Sequence, residues 1–286
     1  MNIRNNEKQL NKSGFSLPPF RVWGRWVKII VLLYASIGIA LFYLQDYILF
    51  HPTVIKRNVP YKFNVPFEEV DLALNENDTI NLVKFFAKDS VKRGVVLYFH
   101  GNKGNINRFA KFVTNFTSKG YEVWVEDYPG YGKSVGDRSE KILYQQAEQI
   151  YTLAATKFAK DSIVIYGKSL GTGIAAYLAA VRGGRELILE TPYYSITSLF
   201  DRYVPFYPNV RMIKYKIPTY EYLQGLKMPV TIFHGTEDCV ISYRNAAKLK
   251  PFLKPTDRFV TIDGGTHNTL NNYALYHQVL DSLLQF

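Results

Sequence analysis

Ser162-Ile163-Val164-Ile165-Tyr166-Gly167-Lys168-Ser169-Leu170-Gly171-Thr172-Gly173-Ile174-Ala175-Ala176 is the stretch that decides the fold. Its apolar run predicts a strand over 162–166, its small residues predict a helix from 172, and glycines stand two positions before and two positions after Ser169. The reason for the glycines is steric. A strand-to-helix turn this sharp drives side chains at those two positions into the neighbouring strand and helix, and Gly167 and Gly171 remove the clash. Ser169 is then expected in a strained backbone conformation, with its hydroxyl projecting near a helix N-terminus, where backbone N–H groups favour developing negative charge.

Working outward, strands alternate with amphipathic segments. Strands are predicted over 95–99, 122–126, 162–166, 187–189, 230–233 and 259–262, with helices over 106–118, 140–158, 172–180, 243–249 and 270–284. Continuous apolar strands separated by helices imply an α/β fold, with a mainly parallel sheet covered by helices on both faces. Upstream, 67–74 and 80–86 flank Asn75-Glu76-Asn77-Asp78, a turn composition, and read as an antiparallel hairpin at the sheet edge. Residues 193–224 interrupt the alternation. They are rich in aromatic residues, prolines and basic residues, and are expected as a small lid insertion.

The chain has 286 residues, enough for one large domain plus an appendage. Its formal charge of +11 invites a nucleic-acid reading, but the distribution argues against one. Arg4, Lys8, Lys12, Arg21, Arg25 and Lys28 precede the first long apolar run against a single acid, Glu7; the remaining basic residues are scattered among acids. That pattern fits a membrane flank and an ordinary solvated surface, so no nucleic-acid partner is expected. Residues 29–44 are almost unbroken apolar, with Trp23, Trp26 and Tyr43 near the ends. Extended back through Trp26 and Val27, the run reaches about 19 residues, close to the ~20 that span a bilayer. A cleavable signal peptide is the rival reading, but no small-x-small cleavage site follows the run. The expected layout is a basic cytoplasmic segment over 1–28, a signal anchor over 29–45, a lead-in over 46–66 broken by Pro52, Pro60 and Pro66, and a domain over 67–286. The positive-inside rule puts that domain on the extracytoplasmic side.

Serine needs an adjacent base to become a nucleophile, and that base needs an orienting carboxylate. Downstream, His234-Gly235-Thr236-Glu237-Asp238 follows one predicted strand, and Gly264-Gly265-Thr266-His267-Asn268 follows the last. Both stretches lie where strand C-terminal ends gather active-site groups. Glu237 and Asp238 compete for the carboxylate. His267 competes with four other histidines: His100 and His234 each precede a glycine at a strand end and fit turn-shaping roles, while His51 and His277 fall in a lead-in and a helix.

Five stretches together resemble the α/β-hydrolase superfamily, and within it the membrane-anchored α/β-hydrolase-domain serine hydrolases, of serine aminopeptidase or esterase type. These are His100-Gly101-Asn102, Asp127-Tyr128-Pro129-Gly130-Tyr131-Gly132-Lys133-Ser134, the turn at Ser169, the His-Gly stretch before Asp238, and the Gly-x-His stretch at His267. The resemblance runs from about residue 67 to the end. It implies Ser169 as nucleophile, Asp238 as the acid that orients the imidazole, and His267 as general base and then general acid. It also implies an oxyanion hole from the backbone N–H groups of Leu170 and Asn102. Lys168 occupies a position that varies freely in such turns. The implied activity is hydrolysis of an ester, thioester or amide through an acyl-enzyme, on a small-molecule, lipid or acylated substrate. The competing class is a catalytically silent, membrane-tethered interaction module that keeps the fold.

Gly132 and Gly167 each begin Gly-Lys-Ser, but a phosphate-cradling loop needs glycine five positions earlier, where Asp127 and Ser162 stand. Cys239 is the only cysteine, which excludes an intrachain disulfide and a cysteine-based metal site. No metal or cofactor is expected.

Overall fold

Alternate residues of the central strands point to opposite sides of one sheet, and both sets are apolar. Val95, Leu97, Ile163, Ile165, Leu187 and Leu189 enter one buried cluster, while Val96, Tyr98, Val164, Tyr166 and Ile188 enter another. A sheet of this kind must be covered on both faces. The computed structural model describes residues 20–87 and 92–285. Residues 1–19 of the expected basic segment lie outside the described residues.

Eight strands form the sheet: β1 (Phe67–Ala73), β2 (Thr79–Phe85), β3 (Gly94–Phe99), β4 (Tyr121–Glu126), β5 (Ile163–Lys168), β6 (Glu186–Glu190), β7 (Val230–Gly235) and β8 (Arg258–Ile262). Their order is β8-β7-β6-β5-β3-β4-β2-β1. β3 to β8 are mutually parallel, and β2 and β1 join antiparallel at one edge as the expected hairpin. The reversal of strand order around β3 and β5 is the switch point at which open α/β sheets gather their sites.

Among the described residues, five helices have eight residues or more: α1 (Phe20–Leu49), α2 (Glu140–Ala155), α3 (Gly171–Arg182), α4 (Ile196–Tyr203) and α5 (Ala274–Leu284). α3 follows β5 directly, and its buried Ala175, Ala176 and Ala179 let it lie close to the sheet. Two expected helices are interrupted. The segment predicted over 106–118 breaks into Ile106–Phe109, a 3₁₀ turn Ala110–Phe112 and Thr114–Thr117; the tighter middle turn sets both Phe109 and Phe116 against Tyr98. The one predicted over 270–284 starts as a 3₁₀ turn, and extended backbone at Tyr273 (φ −103°, ψ 132°) separates it from α5.

The chain divides into two compact units, residues 1–43 and 44–286. α1, most of which belongs to the first, overruns the expected 29–45: from Trp23 to Leu49 it is apolar and long enough to cross a membrane, by length and composition. Those 27 residues span roughly 40 Å against a hydrocarbon core of about 30 Å. Its Leu32 is 65% exposed and its Ile30 62%, an apolar surface that asks for a covering.

In the second unit, the stretch that follows α1 is irregular but bound. His51–Pro52 pairs in parallel with Lys103–Gly104. Thr53 O accepts from Asn105 Nδ2 and from the Gly132 amide, and the Ile55 amide donates to Gly132 O. Residues 51–55 thus strap together the loops after β3 and β4. The 193–224 insertion, with α4 and the short helices Asn209–Met212 and Thr219–Leu223, packs on α2 and α3. Tyr222 bonds Tyr144, and any Cβ at Gly173 would strike Ile217 and Tyr193.

Candidate active site

The turn after β5 has the strain its glycines foretell. Ser169 has φ +51°, the left-handed region that costs a non-glycine residue of order 1–3 kcal/mol. A Cβ on Gly167 would lie 2.5 Å from the Gly171 carbonyl oxygen and 2.7 Å from Thr172 Cα, and one on Gly171 would collide with the Phe99 carbonyl. The strained turn is held from both sides. The Ser169 amide donates to Glu190 O at 2.9 Å, and Ser169 O accepts from the Thr172 amide at 2.9 Å and from Thr172 Oγ1 at 2.6 Å.

Three predicted side chains from three loops meet in a row. His267 Nε2 lies 2.9 Å from Ser169 Oγ, and His267 Nδ1 lies 2.8 Å from Asp238 Oδ2. The other carboxylate oxygen, Asp238 Oδ1, accepts from the Val240 amide at 2.9 Å and the Ile241 amide at 2.8 Å, so the acid cannot rotate away. Asp238 is buried, whereas the competing Glu237 is exposed. With Asp238 accepting at Nδ1, the imidazole presents a lone pair at Nε2 toward the hydroxyl.

The other histidines sit as turn and surface residues. His234 is fully buried, its Nδ1 3.0 Å from Gly235 O and its Nε2 3.7 Å from Asp238 Oδ2. Burial lowers its pKa despite the opposing pull of Asp238, so the neutral form is favoured beside the acid. His100 is also fully buried, stacked on Phe109, with Nδ1 2.7 Å from Gly101 O. His51 is exposed, and His277 Nε2 contacts Asn271 O at 2.7 Å.

The loop that carries Asn102 runs against the serine: a Cβ at Gly101 would stand 3.5 Å from Ser169 Cβ. Its position is fixed by the Asp127–Ser134 stretch. Tyr128 OH donates to His100 O and Tyr131 OH to Asn102 O, each at 2.7 Å, while Asp127 Oδ1 accepts from the Ile106 amide. Asn102 O also accepts from the His51 amide, and the Asn102 side chain is spent on Leu49 O.

Sequence reasoning missed what lies beneath the turn. Lys168, read as freely variable, is buried and ion-paired with Glu190 at the end of β6, which also accepts from Tyr166 OH and, at 3.1 Å, from Tyr276 OH. Burial first, and then the Glu190 charge, holds both phenols well above their ordinary pKa. The one signal in the sequence was a lysine and a glutamate at the C-terminal ends of consecutive parallel strands, where the register pairs them.

Ser169 and His267 open into a pocket of about 140 Å³, walled also by Gly101, Asn102, Phe109 and Val240. No residue of the 193–224 insertion lines it, so the expected lid leaves this pocket uncovered. Two larger depressions, about 520 and 490 Å³, lie along the C-terminal end of α3 and beside α2, without a paired nucleophile and base. Among the described residues, no three His, Cys, Asp or Glu side chains are disposed to hold a metal ion.

The sheet order, the crossover at β5 and a serine on a left-handed turn at its end are those of the α/β-hydrolase fold. More particularly, the family model described as serine aminopeptidase, S33, matches residues 90–222. The chain is similar to the human alpha/beta hydrolase domain-containing protein 17B, 29% identical over 204 residues that cover 67% of this chain and 65% of the relative. The Xenopus laevis protein of the same name matches equally. The chain thus spans about 65% of the length of the curated relatives it matches. Among solved structures, an esterase of Pyrococcus furiosus superposes with a TM-score of 0.63 at 14% identity, covering 82% of this chain and 96% of its own. Est1E of Butyrivibrio proteoclasticus, solved with ferulic acid, superposes with a TM-score of 0.59 at 17% identity, covering 75% and 96%. At such identities the likeness is one of fold.

Proposed function

We propose that this protein is a membrane-anchored serine hydrolase that cleaves an ester, thioester or amide through an acyl-enzyme. The observation that carries the reading is the row from Ser169 Oγ to His267 at 2.9 Å and on to Asp238 at 2.8 Å, based on a backbone strained to φ +51°. His267 Nε2 takes the hydroxyl proton as Ser169 attacks the carbonyl carbon, and Asp238 stabilises the imidazolium that forms. The oxyanion lodges against the N–H groups of Leu170 and Asn102, each worth about 3 kcal/mol in the transition state. His267 returns the proton to the leaving group. It then deprotonates the water that releases the acid and restores Ser169.

A fluorophosphonate probe tests the chemistry: we expect labelling of the wild type and none of Ser169→Ala. A folded wild type that stays unlabelled sinks the reading and leaves the silent module. The anchor is read from α1 and its basic flank, with the N-terminus cytoplasmic and the domain outside. Cys239 reports on this directly, being the only cysteine and exposed. A membrane-impermeant maleimide should label intact cells through Cys239 and not label Cys239→Ser, whereas labelling only after lysis reverses the orientation.

A further inference from the structure

None of the ten residues that line the pocket at Ser169 is a carboxylate, and three are cations: Lys103, Arg108 and Lys168. Lys168 adds no net charge there, because Glu190 neutralises it within the protein. Lys103 and Arg108 are different. Both are exposed at the rim, and neither enters an ion pair among the described residues. Both are also held in place. Lys103 lies in the two-residue bridge to His51. The Arg108 stem lies across Gly104, where φ is +90° and a Cβ would stand 3.1 Å from Arg108 Cδ and 3.3 Å from its Cβ. The stretch that brings Asn102 to the serine therefore sets two uncompensated cations beside it, in the manner that draws and orients anions.

The pocket is small. Sites that engulf a drug-sized ligand measure roughly 300–1,000 Å³, against about 140 Å³ here. Only a short group fits inside, so the rest of a substrate must lie across the rim, where the cations stand. We propose that the substrates of this hydrolase carry a carboxylate or phosphate close to the scissile carbonyl, and that Lys103 and Arg108 bind it. The planar guanidinium suits two oxygens of such a group at once. This inference rests on the hydrolase reading, with water as the only co-reactant: its hydroxyl passes to the acyl carbon, and its proton goes through His267 to Ser169, replacing the one the leaving group carried off. The anion belongs either to a small acid or to a lipid head group.

The test uses the full chain in non-ionic detergent and the kcat/KM ratio of a matched pair, 4-nitrophenyl hydrogen glutarate over 4-nitrophenyl butyrate. A parallel arm compares phosphatidylglycerol with phosphatidylcholine vesicles. We expect the wild type to favour the anionic member by about tenfold at low salt, and the preference to shrink in high salt. The Lys103→Gln/Arg108→Gln variant, melting as the wild type does, should bring the ratio to about one, while Lys62→Gln at a remote exposed site leaves it alone. Preference in the soluble pair assigns the anion to a small substrate, and preference confined to the vesicles assigns it to a head group. A wild-type ratio near one in both arms, or a ratio that survives the double substitution, overturns the proposal. If butyrate is still cleaved, that outcome spares the hydrolase reading; if neither ester is cleaved and Ser169 takes no probe, the hydrolase reading has failed.

Discussion

Asp238 is fixed at both carboxylate oxygens, by two amides on one and by His267 on the other, whereas Glu237 next to it points into solvent. That difference gives a sharp prediction. Asp238→Asn keeps the shape but can no longer hold the imidazole in the tautomer that leaves Nε2 free to accept, and kcat should fall about 10³- to 10⁴-fold. Glu237→Gln should stay within about twofold of the wild type, as an exposed side chain away from the row. Steady-state hydrolysis of 4-nitrophenyl butyrate checks both, and equal losses would show that the acid was misassigned. The neutral His234 behind Asp238 fits the same logic, since a second imidazolium there would compete with His267 for the carboxylate.

Between elements, the end of β5 is bolted to the end of β6. The Lys168–Glu190 pair lies inside the protein, and the Ser169 amide donates to the backbone of that same Glu190. Replacing one partner leaves the other charge buried, so Glu190→Gln should cost about 3–5 kcal/mol, while Lys168→Met/Glu190→Leu should recover much of the loss. Urea unfolding of the two single variants and the double variant measures this, and additive losses would deny the coupling. The pair also marks what the sequence hides. All eight strands were legible: the central ones because strands buried on both faces read as apolar runs, and the edge hairpin because of the turn composition at 75–78; the Ser169 turn was legible because its glycines have a steric cause. The pairing of Lys168 with a residue one strand away depends on register, which no local pattern encodes. The break within 106–118 depends on how Phe109 and Phe116 seat against Tyr98, again a tertiary matter. Aromatic richness over 193–224 announced an insertion, read as lying over the C-terminal edge of the sheet; that it packs on α2 and α3 through Tyr222 and Ile217 is likewise a tertiary matter. Lys103 and Arg108 looked like ordinary surface charges until the loop folded beside the serine.

At the scale of the whole molecule, stability should depend on pH through Glu126, at the end of β4. It is buried, neither carboxylate oxygen has a partner among the described residues, and burial, followed by the charge of Asp127, raises its pKa well above the ordinary 4.5. The folded protein therefore keeps a proton that the unfolded chain gives up. This contribution is fully favourable below pH 4.5 and is lost as pH climbs toward the folded value, at a limiting slope of about 1.4 kcal/mol per pH unit. Glu126→Gln mimics the protonated form at every pH, so its advantage over the wild type in chemical unfolding should grow between pH 5 and pH 8; a constant difference would mean that Glu126 does not titrate. The strap formed by residues 51–55 has a practical consequence for anyone who wants the α/β unit without the apolar helix α1. Judged by the sheet alone, a fragment could begin at residue 67 and lose nothing. It would lose the clamp on Asn102, Gly104 and Gly132, which holds the loop beside Ser169. The place to cut is near Leu44, where the compact unit begins.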